Sequence, residues 1–429
     1  MGKPGNATSK YRYSTAVSLR LNVNGAQIMI SPRAAGSRAF CSTTFFGSIS
    51  CVARMLARHS LPCNATCAEF LSNASVARWD RLQLEPPLEA ATVAFVACNG
   101  IDHGGPQLRC VETARLLTLH GMAAICWGGH GRCSSPSMQH LLTTARKLEA
   151  IVFCKSLPSG DTLQRVVRPL SLTLVLDTMD LSPRYHPACK NAHVTALLNG
   201  VIANSPTAWR LISHECPALA TKDVVLIEHF HSVTRRVSHG EAAPRRALLV
   251  QEHRAFGNFC SSIAEHLPET TTFDCNPLWG GAAAADSRER FFMRQLSLPR
   301  AIVRSIASQP RGAAALFTTV FSKFDLLLQW WPTSGSAQRL ANALATGIPA
   351  IALTCQAFED AFGRSGVLLA HNLSELRTMA RTLDASATVR AGVSNAGVAA
   401  AAAMSPDAIA TLYRRALRRW RARRLQRES

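Results

Sequence analysis

The stretch from Pro332 to Pro349 constrains this chain more than any other. Ser334-Gly335-Ser336 stands near its start, Thr346-Gly347-Ile348-Pro349 closes it, and apolar segments flank it at Asp325 to Trp331 and Ala350 to Leu353. The pattern reads as strand, small-residue loop, helix, glycine stop and strand. A helix that begins from such a loop leaves its first N–H groups unpaired and turns the positive end of its dipole outward. That end suits an anion, and a nucleotide diphosphate would fit there.

The same rhythm runs through most of the chain. From about residue 92, short apolar runs alternate with helical patterns, as expected of a parallel sheet covered by helices. Strands are predicted at Thr92 to Cys98, Ala123 to Trp127, Ala150 to Cys154, Leu172 to Leu176, Gly200 to Ala203 and Val224 to Ile227. Between the first two lies a helix over residues 107 to 120, ended by Gly121, with Leu108, Val111, Ala114 and Leu117 on one face. The polar, Pro-bearing stretch from His239 to Arg246 reads as a linker. Beyond it Ala247 to Val250 restarts the alternation with a helix near 256 to 266. Strands follow at Leu326 to Trp330 and Ala350 to Leu353, and an alanine-rich helix at Ala399 to Met404. At 429 residues the chain has length for two cores, since one core rarely exceeds about 250 residues.

The 332–349 run resembles the donor-binding signature of two-domain glycosyltransferases of the GT-B type, in particular family 4. In that group a loop ending a strand is followed by a helix that closes on Ala-x-Gly-x-Pro. The resemblance covers residues 92 to 420 and is concentrated in 325 to 353. It implies an α/β fold of two doubly wound, Rossmann-like domains facing across a cleft: an acceptor-side domain over 90–237, a donor domain over 244–404, and a basic helix over 405–429 that crosses back to the first domain. The implied activity is transfer of a sugar from a UDP- or GDP-linked donor to a glycan, lipid or protein acceptor, with retention of anomeric configuration. GT-B enzymes generally work without a bound metal, so neither metal nor cofactor is expected. The family usually carries a pair of glutamates at the spacing of Ser334 and Asn342, and both carboxylates are missing here. Two expectations follow: a divergent transferase that holds its donor through Ser334, Ser336 and Asn342, or a catalytically inactive GT-B-like binding or scaffold protein.

Other candidates sit at the ends of predicted strands. The first strand runs into Cys98-Asn99-Gly100-Ile101-Asp102-His103-Gly104-Gly105-Pro106. Gly104 and Gly105 let backbone approach a ligand closely, and Pro106 costs no hydrogen bond at a first helical position. The resemblance places this loop near the donor phosphates, although a plain strand-to-helix turn explains it equally well. His103, His229 and His231 are candidates to line the cleft, and alternation points the last two to one side. Phosphate stabilisation needs a cation. Arg254 stands where the family carries its basic pair, and Arg339 opens the helix after Ser336. Asp177 and Asp180 lack metal-site spacing and are expected to cap a turn.

Charge sets the remaining expectations. Lys and Arg number 47 against 27 acidic residues, a net +20. Residues 1–68 hold no Asp or Glu while carrying Lys3, Lys10, Arg12, Arg20, Arg33, Arg38, Arg54 and Arg58, the composition of a mitochondrial or plastid transit peptide. Without such a role the protein would be cytoplasmic. At the other end Arg414, Arg415, Arg418, Arg419, Arg421, Arg423, Arg424 and Arg427 surround Leu412, Ala416, Leu417 and Trp420. This is a basic amphipathic helix, suited to packing with a solvated face or to peripheral membrane contact; nucleic acid is the minor reading. No stretch reaches the roughly 18 uninterrupted apolar residues of a membrane span, so a soluble protein is expected. The 14 cysteines show no zinc spacing. Cys98, Cys154 and Cys355 read as buried free thiols in a reducing compartment.

Overall fold

The computed structural model describes residues 19–23, 26–30, 86–98, 107–128, 132–178, 192–231, 244–249, 259–275, 290–298, 319–329, 337–353, 356–362 and 367–428, with positions 300, 303 and 316. Strands β1 (Leu19–Val23) and β2 (Ala26–Ile30) pair antiparallel on either side of Asn24-Gly25. The reading of residues 1–68 as a leader did not include this hairpin.

Six strands form the first sheet: β3 (Val93–Ala97), β4 (Ala124–Gly128), β5 (Ala150–Cys154), β6 (Thr173–Asp177), β7 (Gly200–Ala203) and β8 (Val224–Leu226). They lie in the order β4-β3-β5-β6-β7-β8, all parallel. The inner strands are apolar on both faces, and the five residues of β3 and of β5 are all buried. A parallel sheet covered on both sides requires that pattern. On one face pack helix α1 (Thr113–Leu119), which continues from a π-helical turn at Gln107–Glu112, and the C-terminal helix. The other face takes α2 (Ser135–Thr144) and α3 (Pro206–Glu215). Helix α3 begins where Ser205 Oγ accepts the Ala208 N–H at 3.0 Å, with Pro206 in the first turn.

The second sheet holds β9 (Arg246–Leu249), β10 (Thr272–Cys275), β11 (Leu326–Gln329), β12 (Ala350–Leu353) and β13 (Leu368–Ala370), again parallel, in the order β10-β9-β11-β12-β13. Helix α4 (Gln338–Ala345) connects β11 to β12. It stops at Gly347, whose φ of 83° is the left-handed conformation that ends helices. Next come α5 (Gln356–Phe362), α6 (Leu373–Ala385) and α7 (Ala387–Ala402). Ser394 of α7 donates to the Gly347 carbonyl and fixes that helix end.

Helix α8 (Pro406–Glu428) then returns to the first sheet. Ile409, Ala410, Tyr413, Ala416, Leu417 and Trp420, all buried, recur at helical spacing and join the core around Phe95. Gly200 opens β7 beneath Trp420, and a Cβ there would overlap the indole, so only glycine allows this approach. Arg419 and Arg423 both pair with Asp223, and Arg421 pairs with Glu149 at 2.5 Å. Asp223 and Glu149 immediately precede β8 and β5. The arginine-rich end of α8 therefore lies at the amino edge of the sheet, away from the strand ends where ligands bind in such folds.

Two disulfides cross the first βαβ unit, Cys98–Cys133 and Cys110–Cys126, each with Cα atoms 5.2 Å apart. Cys216 is also disulfide-bonded. The expectation of a free thiol is met by the buried Cys154 and overturned for Cys98. With Cys98 at the end of β3 and Cys133 just ahead of α2, neighbouring strands bring together residues whose 35-residue separation hides the pairing. Cys355 lies outside the described residues.

Candidate functional site

In each sheet the strand order reverses once, between β3 and β5 and between β9 and β11. Ligands in doubly wound sheets bind beyond the carboxyl ends of strands at such reversals. The segment after β3 carries His103, Gly104 and Gly105, that after β9 carries Arg254, and that after β11 carries Ser334, Gly335 and Ser336. These seven residues lie outside the described ones, as does the side chain of Arg339, whose backbone belongs to α4. The topology thus sets the strands that lead into the Arg254 and Ser334 segments side by side.

The two sheets meet at their carboxyl ends. Glu228, just past β8, extends its carboxylate to α4, where Oε2 accepts the Ala337 N–H at 3.3 Å and Oε1 accepts the neighbouring His229 N–H at 2.7 Å. Gln338 Nε2 donates to the Phe230 carbonyl at 3.4 Å. In the opposite direction Asp360 of α5 accepts the Thr207 N–H in the first turn of α3, at 2.8 Å. Each half thus places a carboxylate on the N-terminal end of a helix in the other, where unpaired amides and the dipole favour negative charge. The start of α4, singled out in the sequence as an anion site, faces the first sheet and is already in contact with an anion.

Asn342 lies one turn further along α4, half-buried, and its Nδ2 donates to the Gln338 carbonyl at 3.0 Å. This back-bond within the helix directs the amide along α4.

Behind Glu228 lies a buried polar network. Arg109, 1% exposed, donates through Nη1 to Tyr413 Oη at 2.9 Å and through Nη2 to the Ile227 carbonyl at 2.7 Å, and it pairs with Asp177 at 3.5 Å. Tyr413 donates in turn to Asp177 Oδ2 at 3.1 Å. Burial opposes the guanidinium charge, but Asp177, Tyr413 and Glu228 outweigh it and push the Arg109 pKa up. For Tyr413 burial dominates and holds the phenol protonated. Asp177, expected to cap a turn, is instead a fully buried partner of Arg109 and ties β6 to the π-helical turn ahead of α1 and to α8. Asp180 lies outside the described residues.

His229 and His231 follow β8 rather than continuing it, so strand alternation does not govern them. His229 is buried, and burial first and the Arg109 charge second hold its pKa well below 6.5. It is a neutral imidazole, ready to donate or accept a hydrogen bond but not to carry charge. The His231 N–H donates to the Met404 carbonyl at 2.9 Å, joining the exit of the first half to the entry of α8.

Glu228, Asp360 and Arg109 were not among the candidates read from sequence. Glu228 had a weak local signal, its position directly before His229 at a strand end. Asp360 and Arg109 gave none, because their partners are distant in the chain. Among the described residues no three His, Cys, Asp or Glu side chains gather to hold a metal, and no helix is long and apolar enough to cross a membrane.

No known family profile matches the chain, and no curated protein matches its sequence. Solved structures do resemble it. A sucrose-phosphate synthase from Thermosynechococcus elongatus aligns over 77% of this chain and 99% of its own at 10% identity, with a TM-score of 0.51. An Anabaena HepE structure in complex with UDP and glucose aligns over 76% and 99% at 14% identity and a TM-score of 0.49. A Thermobaculum terrenum O-GlcNAc transferase covers 90% of this chain and 79% of its own at 11% identity and a TM-score of 0.47. At these identities the likeness is one of fold, and of these three the first, with a TM-score of 0.51, carries it. With its two helix-covered parallel sheets joined at their carboxyl ends, the chain has the GT-B architecture.

Proposed function

We propose that this protein is a glycosyltransferase that moves a sugar from a nucleotide-activated donor, UDP- or GDP-linked, to an acceptor hydroxyl, with retention of configuration. The observation that carries the reading is the placement of α4: its N-terminal amide at Ala337 opens toward the first sheet, beside the end of β8. A diphosphate at that point would meet the positive end of a helix dipole and the Ala337 amide as negative charge develops on the leaving nucleotide. Arg254 and Ser334-Gly335-Ser336 belong to the segments after β9 and β11, and Gly104-Gly105 to that after β3. Together they supply cation, hydroxyls and close backbone approach. Arg339, Asn342 and the neutral His229 are the remaining candidates to contact the donor. The shared fold with a sucrose-phosphate synthase fits this chemistry, since two halves can hold donor and acceptor separately while excluding water.

A second reading, a GT-B-like binding or scaffold protein without turnover, is favoured by one feature. Neither Ser334 nor Asn342 offers a carboxylate, and the Asn342 amide is bonded to its own helix. Incubation with a panel of UDP- and GDP-sugars separates the two. Release of free nucleoside diphosphate is expected of the transferase. Saturable nucleotide binding without release from any donor would leave only the scaffold.

A further inference from the structure

The cross-sheet carboxylates do not follow from the transferase reading. A diphosphate and the Glu228 carboxylate cannot share the start of α4, because both are anions seeking the same amide and the same dipole end. We propose that Glu228 and Asp360 are reciprocal latches that hold the two sheets together. In this arrangement Glu228 is the built-in competitor that a nucleoside diphosphate must displace from α4. The competitor role rests on the transferase reading; the latch itself does not.

Three observations support it. The contacts run in both directions, Glu228 Oε2 to the Ala337 N–H at 3.3 Å and Asp360 Oδ2 to the Thr207 N–H at 2.8 Å, so release of one helix end loosens a shared interface. The Gln338 side chain strengthens the first contact by bonding the Phe230 carbonyl, two residues beyond Glu228. Finally, Glu228 has somewhere to go. Arg109 is buried, its charge already couples to Glu228, and its Nε–H has no acceptor. A carboxylate leaving α4 finds a cation with a spare donor at its own side of the interface. The diphosphate then takes over the helix end, and one anion replaces another without either being left unpaired in a buried place.

The test uses the full chain with Glu228→Gln and Asp360→Asn, two near-isosteric changes, and reads both UDP affinity by calorimetry and amide hydrogen exchange. Glu228→Gln should bind UDP at least fivefold more tightly than the parent, because the neutral amide competes less well for the helix end. It should also speed exchange at the Ala337 to Leu340 amides several-fold. Asp360→Asn should speed exchange at Thr207 without touching the exchange of β5. Equal or weaker UDP binding by Glu228→Gln, with the parent binding normally, overturns the competitor role. If no form binds UDP, or GDP in the same calorimetry, the donor reading fails and the competitor role with it. The latch is then decided by exchange alone: acceleration at both helix starts upholds it, and unchanged exchange there overturns it.

Discussion

At the scale of single residues, the Arg109 cluster is where this fold is most exposed to change. Arg109 is held by Asp177, Tyr413 and the Ile227 carbonyl, so one side chain joins the π-helical turn ahead of α1, β6, the residue after β8 and α8. Breaking a buried pair from one side leaves the other charge uncompensated, which costs more than replacing both. Arg109→Met should therefore lower unfolding free energy by about 3–5 kcal/mol in urea denaturation. The double variant Arg109→Met with Asp177→Leu should recover part of that loss, and additive losses would mean that the two residues are not a pair. His229 gives a pH signature. Its folded pKa is depressed, so the folded chain stays neutral where the unfolded chain takes up a proton below about pH 6.5. Unfolding then binds a proton, and stability falls as pH drops below that value, by at most about 1.4 kcal/mol per pH unit, while above it His229 contributes no slope. His229→Gln should flatten this limb of the stability profile, and an unchanged profile would exclude His229 as its source.

Among elements, α8 makes the longest return in the chain, and its docking depends on the fit of Trp420 over Gly200. Trp420→Ala should cost about 3–5 kcal/mol through the cavity it leaves. Gly200→Ala should destabilise the parent but cost much less in the Trp420→Ala background, where the clash is gone; equal costs in both backgrounds would refute the contact. The disulfides act on the first βαβ unit. Replacing Cys110 and Cys126 by Ala removes a closure of 16 residues, worth about 3 kcal/mol on the chain-entropy account, and thermal unfolding should shift down accordingly. How far these elements were legible depended on where they sit. β5, β7 and β12 stand in the sequence with their boundaries, because apolar runs between helix ends and glycines have one reading. β10 (Thr-Phe-Asp-Cys) and β13 (Leu-Leu-Ala) are edge strands too short and mixed to announce themselves. The β1–β2 pair does carry a signal, Asn24-Gly25 between apolar residues, but it is a short one within a segment whose acid-free composition is that of a leader. The Cys98–Cys133 bond could not be read, since cysteine spacing does not specify pairing.

For the whole molecule, the GT-B architecture was legible because it follows from local alternation repeated along the chain. The junction of the two halves was not, because Glu228 and Ala337 lie 109 positions apart and Thr207 and Asp360 lie 153 apart. Such contacts arise only once both sheets have formed and met at their carboxyl ends. The account therefore rests on the start of α4 as the place where an anionic ligand enters that junction. The most direct measurement is a crystal structure of the protein soaked with UDP and, separately, GDP. The account predicts a diphosphate against the Ala337 amide at the head of α4, with the Glu228 carboxylate displaced from it. A diphosphate bound elsewhere, or crystals that take up neither nucleotide while Glu228 keeps its bond to Ala337, would contradict it.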